Sequence, residues 1–327
     1  MASTLERRLC GFSERPGYAQ AASANSKDDL HREHHVTIPA AIGEARIWRD
    51  GRAILGESLW WKDDALHWCD ITAGRLHRGP GSGATDGSND TVLSFDPPLA
   101  SFQPRASGGY VIALGSRVVV CDADGGAERE IARVAHTHGG IRFNEGKCDP
   151  AGEFQLGSMN ITTGEPDAAV YRVTSAGARL VRGGFGTANG FEWSVDETTA
   201  YLTDTATETI YRAPWTAEAG FGELVPFISG RMHDGLTIDR DGYLWSGIYG
   251  DGVVVRISPE GEVVETVEIP APNVTSVAFG GDDLSTLFVA TARENLTEEQ
   301  LEAHPQSGGV FAVDTRTAGL PVRTFAG

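Results

Sequence analysis

Cysteine is scarce in this chain and scattered: Cys10, Cys69, Cys121 and Cys148 form no Cys-x-x-Cys pair and no closely spaced group. That excludes a zinc knuckle or a disulfide-framed module, and it suits reduced thiols in a cytoplasmic protein. Long apolar runs are missing as well. No stretch approaches the roughly 18 residues of a membrane helix, and no apolar segment follows Arg7 and Arg8 as it would in a secretory leader. Positive charge is the third shortage: 27 Lys and Arg stand against 45 Asp and Glu, a formal net charge of −18. Such a field repels nucleic-acid phosphates and anionic bilayers, so neither nucleic acid nor a membrane is expected as a partner. An activated nucleophile is also lacking. Ser58 and Ser158 have no nucleophile-elbow context, and Cys148 has no evident activating neighbour.

Glycine is plentiful, with 41 residues distributed among many short apolar runs, which points to an all-β chain. Residues 1–43 are polar and without apolar period, and are expected to form a disordered tail in which His31, His34 and His35 are incidental. From Glu44 onwards short apolar runs begin at Leu66, Tyr110, Phe154, Tyr201, Leu244 and Leu287, roughly every 44 residues. Turn sequences precede most of them, and a further strand and turn follow. Each unit reads as a four-stranded antiparallel meander, so residues 44–327 are expected to form a six-bladed β-propeller. Two segments depart from the pattern. Thr297 and Gln300 form a capping box that predicts a short helix over 296–301, and the Gly- and Ser-rich run 79–90 is expected to be a mobile loop.

The first strand of every propeller blade lines the central channel, so residues at one offset before each anchor should meet near the axis. Glu57, Asn144, Asn189 and Asp234 lie about 9 to 12 residues before their anchors. Buried carboxylates are costly unless paired or bound to a cation, and amide with carboxylate oxygens suit a hard divalent ion such as Ca²⁺, Mg²⁺ or Mn²⁺. Around Asn144, the stretch from His138 to Met159 adds a cation and another carboxylate: Arg142 and Asn144 alternate with Ile141 and Phe143 and share one face of a strand. A turn at Asp149-Pro150-Ala151-Gly152 follows. A hairpin with Arg142 and Glu145 as a solvated pair is the bland alternative. His136 and His138 are expected to be locally satisfied loop residues.

The segments LGESLWW, RFNEGKCDPAGEFQLGSM, ANGFEWS and HDGLTIDRDGYLW, in this order, resemble the SMP-30/gluconolactonase/regucalcin family, and PAPNVTSVAFGGDDLSTLFVATAR resembles its bacterial sugar-lactonase members. The resemblance covers about residues 44–316. It implies one divalent cation (Ca²⁺, Mn²⁺, Mg²⁺, Zn²⁺ or Fe²⁺) held by Glu57, Asn189 and Asp234, with Asp234 doubling as general base. It also implies Arg142, Asn144 and Glu145 as substrate-binding residues and a small sugar lactone as substrate, in a monomer or weak homo-oligomer. Three positions depart from the family pattern: Glu145 replaces Asp, Leu59 replaces Pro, and His233 replaces the usual Pro before the metal-binding Asp. Hydrolysis of another ester or an organophosphate at the same site, and a non-catalytic metal-binding propeller, stay open as alternatives.

Overall fold

The computed structural model describes residues 42–163 and 165–327. The expected tail, with His31, His34, His35 and Cys10, falls outside them except for its last two residues. Of those, Ile42 packs on an apolar cluster and the Gly43 amide donates to Asp314 O at 3.0 Å.

Six antiparallel sheets form a six-bladed β-propeller. The innermost strands are Gly56–Lys62, Leu99–Pro104, Ile141–Cys148, Ala188–Trp193, His233–Ile238 and Val274–Gly280. Each touches the next, and the sixth touches the first, so the ring is closed. All six sequence anchors fall in the second strands, Ala65–Asp70, Tyr110–Leu114, Phe154–Asn160, Thr199–Asp204, Leu244–Ile248 and Thr286–Thr291. These strands read as apolar runs because both their faces are covered by neighbouring blades. The fourth blade carries an added two-residue strand, Gly220–Phe221, on the end of Thr209–Thr216.

The core is distributed rather than central. Six apolar clusters each fill the wedge between two adjacent blades; one joins Trp60 and Leu76 to Phe102 and Ile112, another joins Val254 and Val274 to Phe311. Since apolar burial is complete in the wedges, the axis is left to polar side chains.

Closure of the ring is not visible in the repeat. Arg46–Arg49, at the start of the described chain, is the outermost strand of the last blade and pairs with Val310–Asp314. The run 79–90, expected to be mobile, instead wraps the buried Arg49 side chain. The Arg49 Nε donates to Asp90 Oδ1 and Oδ2 at 3.0 and 3.2 Å, and its terminal nitrogens donate to the carbonyls of Pro80 and Gly83. A guanidinium with five donors orders a loop rich in free carbonyls, which glycine content alone does not reveal. The expected helix is present at Glu298–Ala303 with both bonds of its capping box, Thr297 Oγ1 with Gln300 N and Gln300 Oε1 with Thr297 N.

The C-terminal segment crosses one end of the channel. Phe325 is buried in the wedge between the second and third blades, and Leu320 to Arg323 line a cavity with Lys147, Glu192 and Trp60. There Lys147 Nζ donates to Glu192 Oε2 (2.8 Å) and Leu236 O (2.6 Å), and Arg323 Nη1 donates to Glu192 Oε1 (3.1 Å).

Candidate metal and substrate site at the channel mouth

At the other end the inner strands begin, and there the pairing between inner and second strand slips in every blade. The register shifts lie between Glu57 and Trp60, Leu99 and Ser101, Phe143 and Gly146, Asn189 and Phe191, His233 and Leu236, and Val274 and Val277. A bulge re-aims side chains that strict alternation would bury in a sheet. Asn144 and Asp234 sit inside their bulges, and Glu57 and Asn189 at the leading edge of theirs. Gly190 and Gly235 follow Asn189 and Asp234 for a packing reason: a Cβ on Gly190 would lie 2.4 Å from Asp234 O, and one on Gly235 would lie 2.8 Å from Thr275 O. Ala-Asn-Gly and His-Asp-Gly are therefore strand bulges at which adjacent backbones meet, not turns.

The four side chains do not serve alike. Glu57 and Asp234 are buried, and Asn189 is buried beside them. The Asn189 Nδ2 donates to Thr205 Oγ1 at 3.1 Å, and Thr205 Oγ1 donates to His233 O at 2.6 Å. That chain fixes the amide so that its oxygen is left free; Asn189 Oδ1 and Asp234 Oδ1 are buried without a hydrogen-bond partner. Glu57 is held through Oε2, which accepts from Ser58 N at 3.1 Å, and Ser58 has the left-handed φ of 56°. Strained backbone at such a place is commonly tied to function. Asn144 is different: its Oδ1 accepts from Arg142 Nη1 at 3.0 Å, while Arg142 Nη1 also reaches Phe143 O at 2.8 Å. Three blades thus supply free oxygens, and the fourth supplies a fixed guanidinium.

The electrostatics agree. Burial, then the charge of Glu145, pushes Glu57 from an ordinary 4.5 up to about 8. Burial, then Glu57, then Glu145, raises Asp234 well above the carboxylate range, with the Asn189 amide and Arg142 offsetting part of this. Glu145 rises to about 7, again mainly through burial, with Lys147 opposing. It is buried with Oε2 unpartnered, its charge bears on Glu57 and Asp234 while it feels Lys147 and Glu192, and it makes no solvated pair with Arg142. Two buried, unpartnered oxygens beside a carboxylate held protonated only for want of positive charge are what a hard, oxygen-seeking dication satisfies. Among the described residues no three His, Cys, Asp or Glu side chains form a metal cage, so a cation held here would need the Asn189 amide as well.

The histidines stand aside. His233 is buried with Nδ1 2.9 Å from Ser246 Oγ in its own blade, and burial lowers it to about 4, so it is neutral. His138 Nε2 lies 2.7 Å from Asp167 Oδ2 and its Nδ1 accepts from Gly140 N. His136 packs edge-on against Phe143 with both ring nitrogens buried and unpartnered, so it is not satisfied as expected, and His233 Nε2 is unpartnered as well. Ser58 Oγ donates to Ser101 Oγ and that hydroxyl to Gly146 O, a structural chain. Cys69, Cys121 and Cys148 are free and buried. Thr205 and the bulges were not readable beforehand, because a threonine in a turn and a one-residue slip leave no local signature.

The chain is similar to known proteins along most of its length. Residues 55–293 match the model of the SMP-30/gluconolactonase/LRE-like region. A 6-deoxy-6-sulfogluconolactonase of Pseudomonas putida is 35% identical over 298 residues, 89% of this chain and 97% of that one. A pentonolactonase of Haloferax volcanii is 32% identical, over 82% of this chain and 93% of that one. The crystal structure of a calcium-binding regucalcin from Agrobacterium tumefaciens superposes with a TM-score of 0.80 at 25% identity, covering 86% of this chain and 97% of that one. With more than half its length matched by the family model, the chain belongs to the SMP-30/gluconolactonase/LRE-like family.

Proposed function

We propose that the protein is a metal-dependent lactonase that opens a sugar-acid lactone to the aldonic acid. The observation that carries this reading is the pair of buried, unpartnered oxygens, Asn189 Oδ1 and Asp234 Oδ1, facing one mouth with the carboxylate of Glu57 and beside a fixed Arg142. Relatives named as lactonases of gluconic and pentonic type support it. Glu57, Asn189 and Asp234 would hold a divalent cation, which when bound would supply Lewis-acid chemistry for lactone opening.

The protein's own groups do the rest. Thr205 keeps the Asn189 oxygen aimed at the mouth. Asp234 takes a proton from the water whose oxygen adds to the carbonyl carbon, and gives it to the ring oxygen as the carbon–oxygen ester bond breaks. Atoms balance: one water is consumed, one acid and one hydroxyl appear, and the acid then ionises. Arg142, locked by Phe143 O and Asn144 Oδ1, donates to ring or hydroxyl oxygens of the sugar. Asn144 thereby binds substrate through the orientation it gives Arg142. Glu145, buried with its Oε2 unpartnered, completes the substrate-binding set, and its charge bears on Glu57 and Asp234.

The test is acid release from a panel of pentono- and hexonolactones, with spontaneous opening subtracted, by protein stripped with chelator and reloaded with one metal at a time. Metal-restored turnover on at least one lactone is expected. Reloaded protein with no activity above the spontaneous rate on any of them refutes the reading.

A further inference from the structure

The mouth has a wall that the assigned residues do not include. Residues 292–295 leave the second strand of the last blade and cross the lip above Glu57. Arg293 N and Glu294 N both donate to Ile54 O, at 3.0 and 2.9 Å, and Ala292 bridges Leu55. Glu294 O is gripped from the other side, accepting from Asn273 Nδ2 at 2.8 Å and from Tyr249 OH at 3.3 Å. Tyr249 OH in turn accepts from Asn273 Nδ2 (3.2 Å) and Asn295 Nδ2 (3.0 Å), and Asn295 turns the chain with a left-handed φ of 64°. The backbone of Glu294 is therefore fixed between two blades. Its side chain is half-buried, with Oε1 accepting from Thr72 Oγ1 at 3.2 Å.

Arg142 stands in the same mouth. Among the described residues it makes no ion pair, and Glu294 is the carboxylate that does most to offset the burial of its charge, ahead of Glu57. The two opposite charges thus feel each other without forming an ion pair. Each is fixed by its own neighbours rather than by the other. A donor set and an acceptor set held apart in this way match a ring whose hydroxyls both donate and accept.

Building on the lactonase reading, we propose that Glu294 is a specificity-determining residue that accepts hydrogen bonds from substrate hydroxyls opposite Arg142, selecting polyhydroxylated lactones over unsubstituted ones. A carboxylate acceptor rejects an analogue without the hydroxyl because its own desolvation is then uncompensated. The reacting carbonyl is not its target, so its loss falls on KM.

The experiment compares D-glucono-δ-lactone with δ-valerolactone, the same ring without hydroxyls, in wild type, Glu294→Gln and Glu294→Ala, all metal-loaded and matched in melting temperature. For Glu294→Ala the ratio of kcat/KM between the two lactones should fall about tenfold, through KM, with Glu294→Gln in between. An unchanged ratio overturns the proposal, and so does an equal loss on both lactones, which would mean that Glu294 merely supports the fold or Arg142. Wild type inactive on both refutes the lactonase reading instead. Calorimetric titration of D-glucose, a non-reacting pyranose, then decides: binding about tenfold weaker in Glu294→Ala sustains the inference, and equal binding overturns it.

Discussion

Stripping the site of cations should give a protein that becomes less stable as pH rises through neutrality, and the size of the effect follows from the buried carboxyls. Folding raises Glu57 from 4.5 to about 8, so between those values the folded chain keeps a proton that the unfolded chain has released. Stability contributed by such a group is complete below the unfolded value and is lost as pH rises towards the folded one. The lower half of that range is confounded by His67, His77 and His233, which burial lowers from 6.5 to about 3 or 4 and which act in the opposite direction. Between pH 6.5 and 8 those histidines are neutral in the folded chain and shed their remaining protons in the unfolded one, which offsets part of the loss, while Cys69 and Cys148, raised above an ordinary 9.0, stay protonated when folded. In that window one retained proton costs about 1.4 kcal/mol per pH unit, hence about 2 kcal/mol for Glu57 before the histidine offset, and Asp234 acts in the same direction. At roughly 2 °C per kcal/mol, the melting temperature of the stripped protein should fall by about 2 to 4 °C from pH 6.5 to 8. With millimolar Ca²⁺ or Mn²⁺ the carboxyls are ionised at both ends of the window and the slope should flatten. A ligand at about 100 times its dissociation constant adds about 2.7 kcal/mol, and the gain should be larger at pH 8 than at 6.5. Thermal melts by circular dichroism across that window, with chelator and with metal, make the measurement. A stripped protein whose melting temperature is flat with pH and indifferent to metal would refute both the buried-carboxyl account and the metal assignment.

Other outcomes follow from the same geometry. Asp234→Asn keeps an oxygen but removes charge and base, so it should retain some metal by calorimetry while losing on the order of 10² to 10⁴ in kcat; wild-type turnover in a folded, loaded variant would move the base elsewhere. Arg142→Ala should leave metal affinity nearly unchanged and cost roughly 2 to 4 kcal/mol in kcat/KM, falling mostly on KM if the guanidinium only grips hydroxyls. Arg49→Ala leaves the Asp90 carboxylate buried without its partner, and should lower stability to urea by about 3 kcal/mol with kcat unaltered; a loss below about 1 kcal/mol would mean that water replaces the guanidinium.

The blades were legible because the second strand of each is covered on both faces, so its sequence is an apolar run whatever the neighbouring blades contain. The oxygen set was legible in part: Glu57, Asn144, Asn189 and Asp234 fall 9 to 12 residues before those runs, and the family resemblance singles out Glu57, Asn189 and Asp234. What escaped was non-local. The pairing of Arg46 with Asp314 joins residues at the two ends of the propeller, and no window of sequence contains both. Arg49 and the loop at 79–90 failed for the same cause, since the glycines promise freedom and the arginine that removes it lies some 30 residues earlier. Asn144 was grouped with the other oxygens by spacing, yet its oxygen is taken by Arg142 two residues away, a choice made by side-chain rotation and not by register.

The slip in all six inner strands carries a consequence for how such a site changes over time. The aiming device is in the backbone and is repeated sixfold, whereas the chemistry is in the side chains and differs from blade to blade. Thr275 occupies the corresponding place in the sixth blade, and today it spends its hydroxyl on Gly56 O. The mouth is thus a ring of sockets with one backbone build and unlike side chains. A single substitution in any one of them changes what faces the axis and leaves the wedge cores, where the stability lies, untouched.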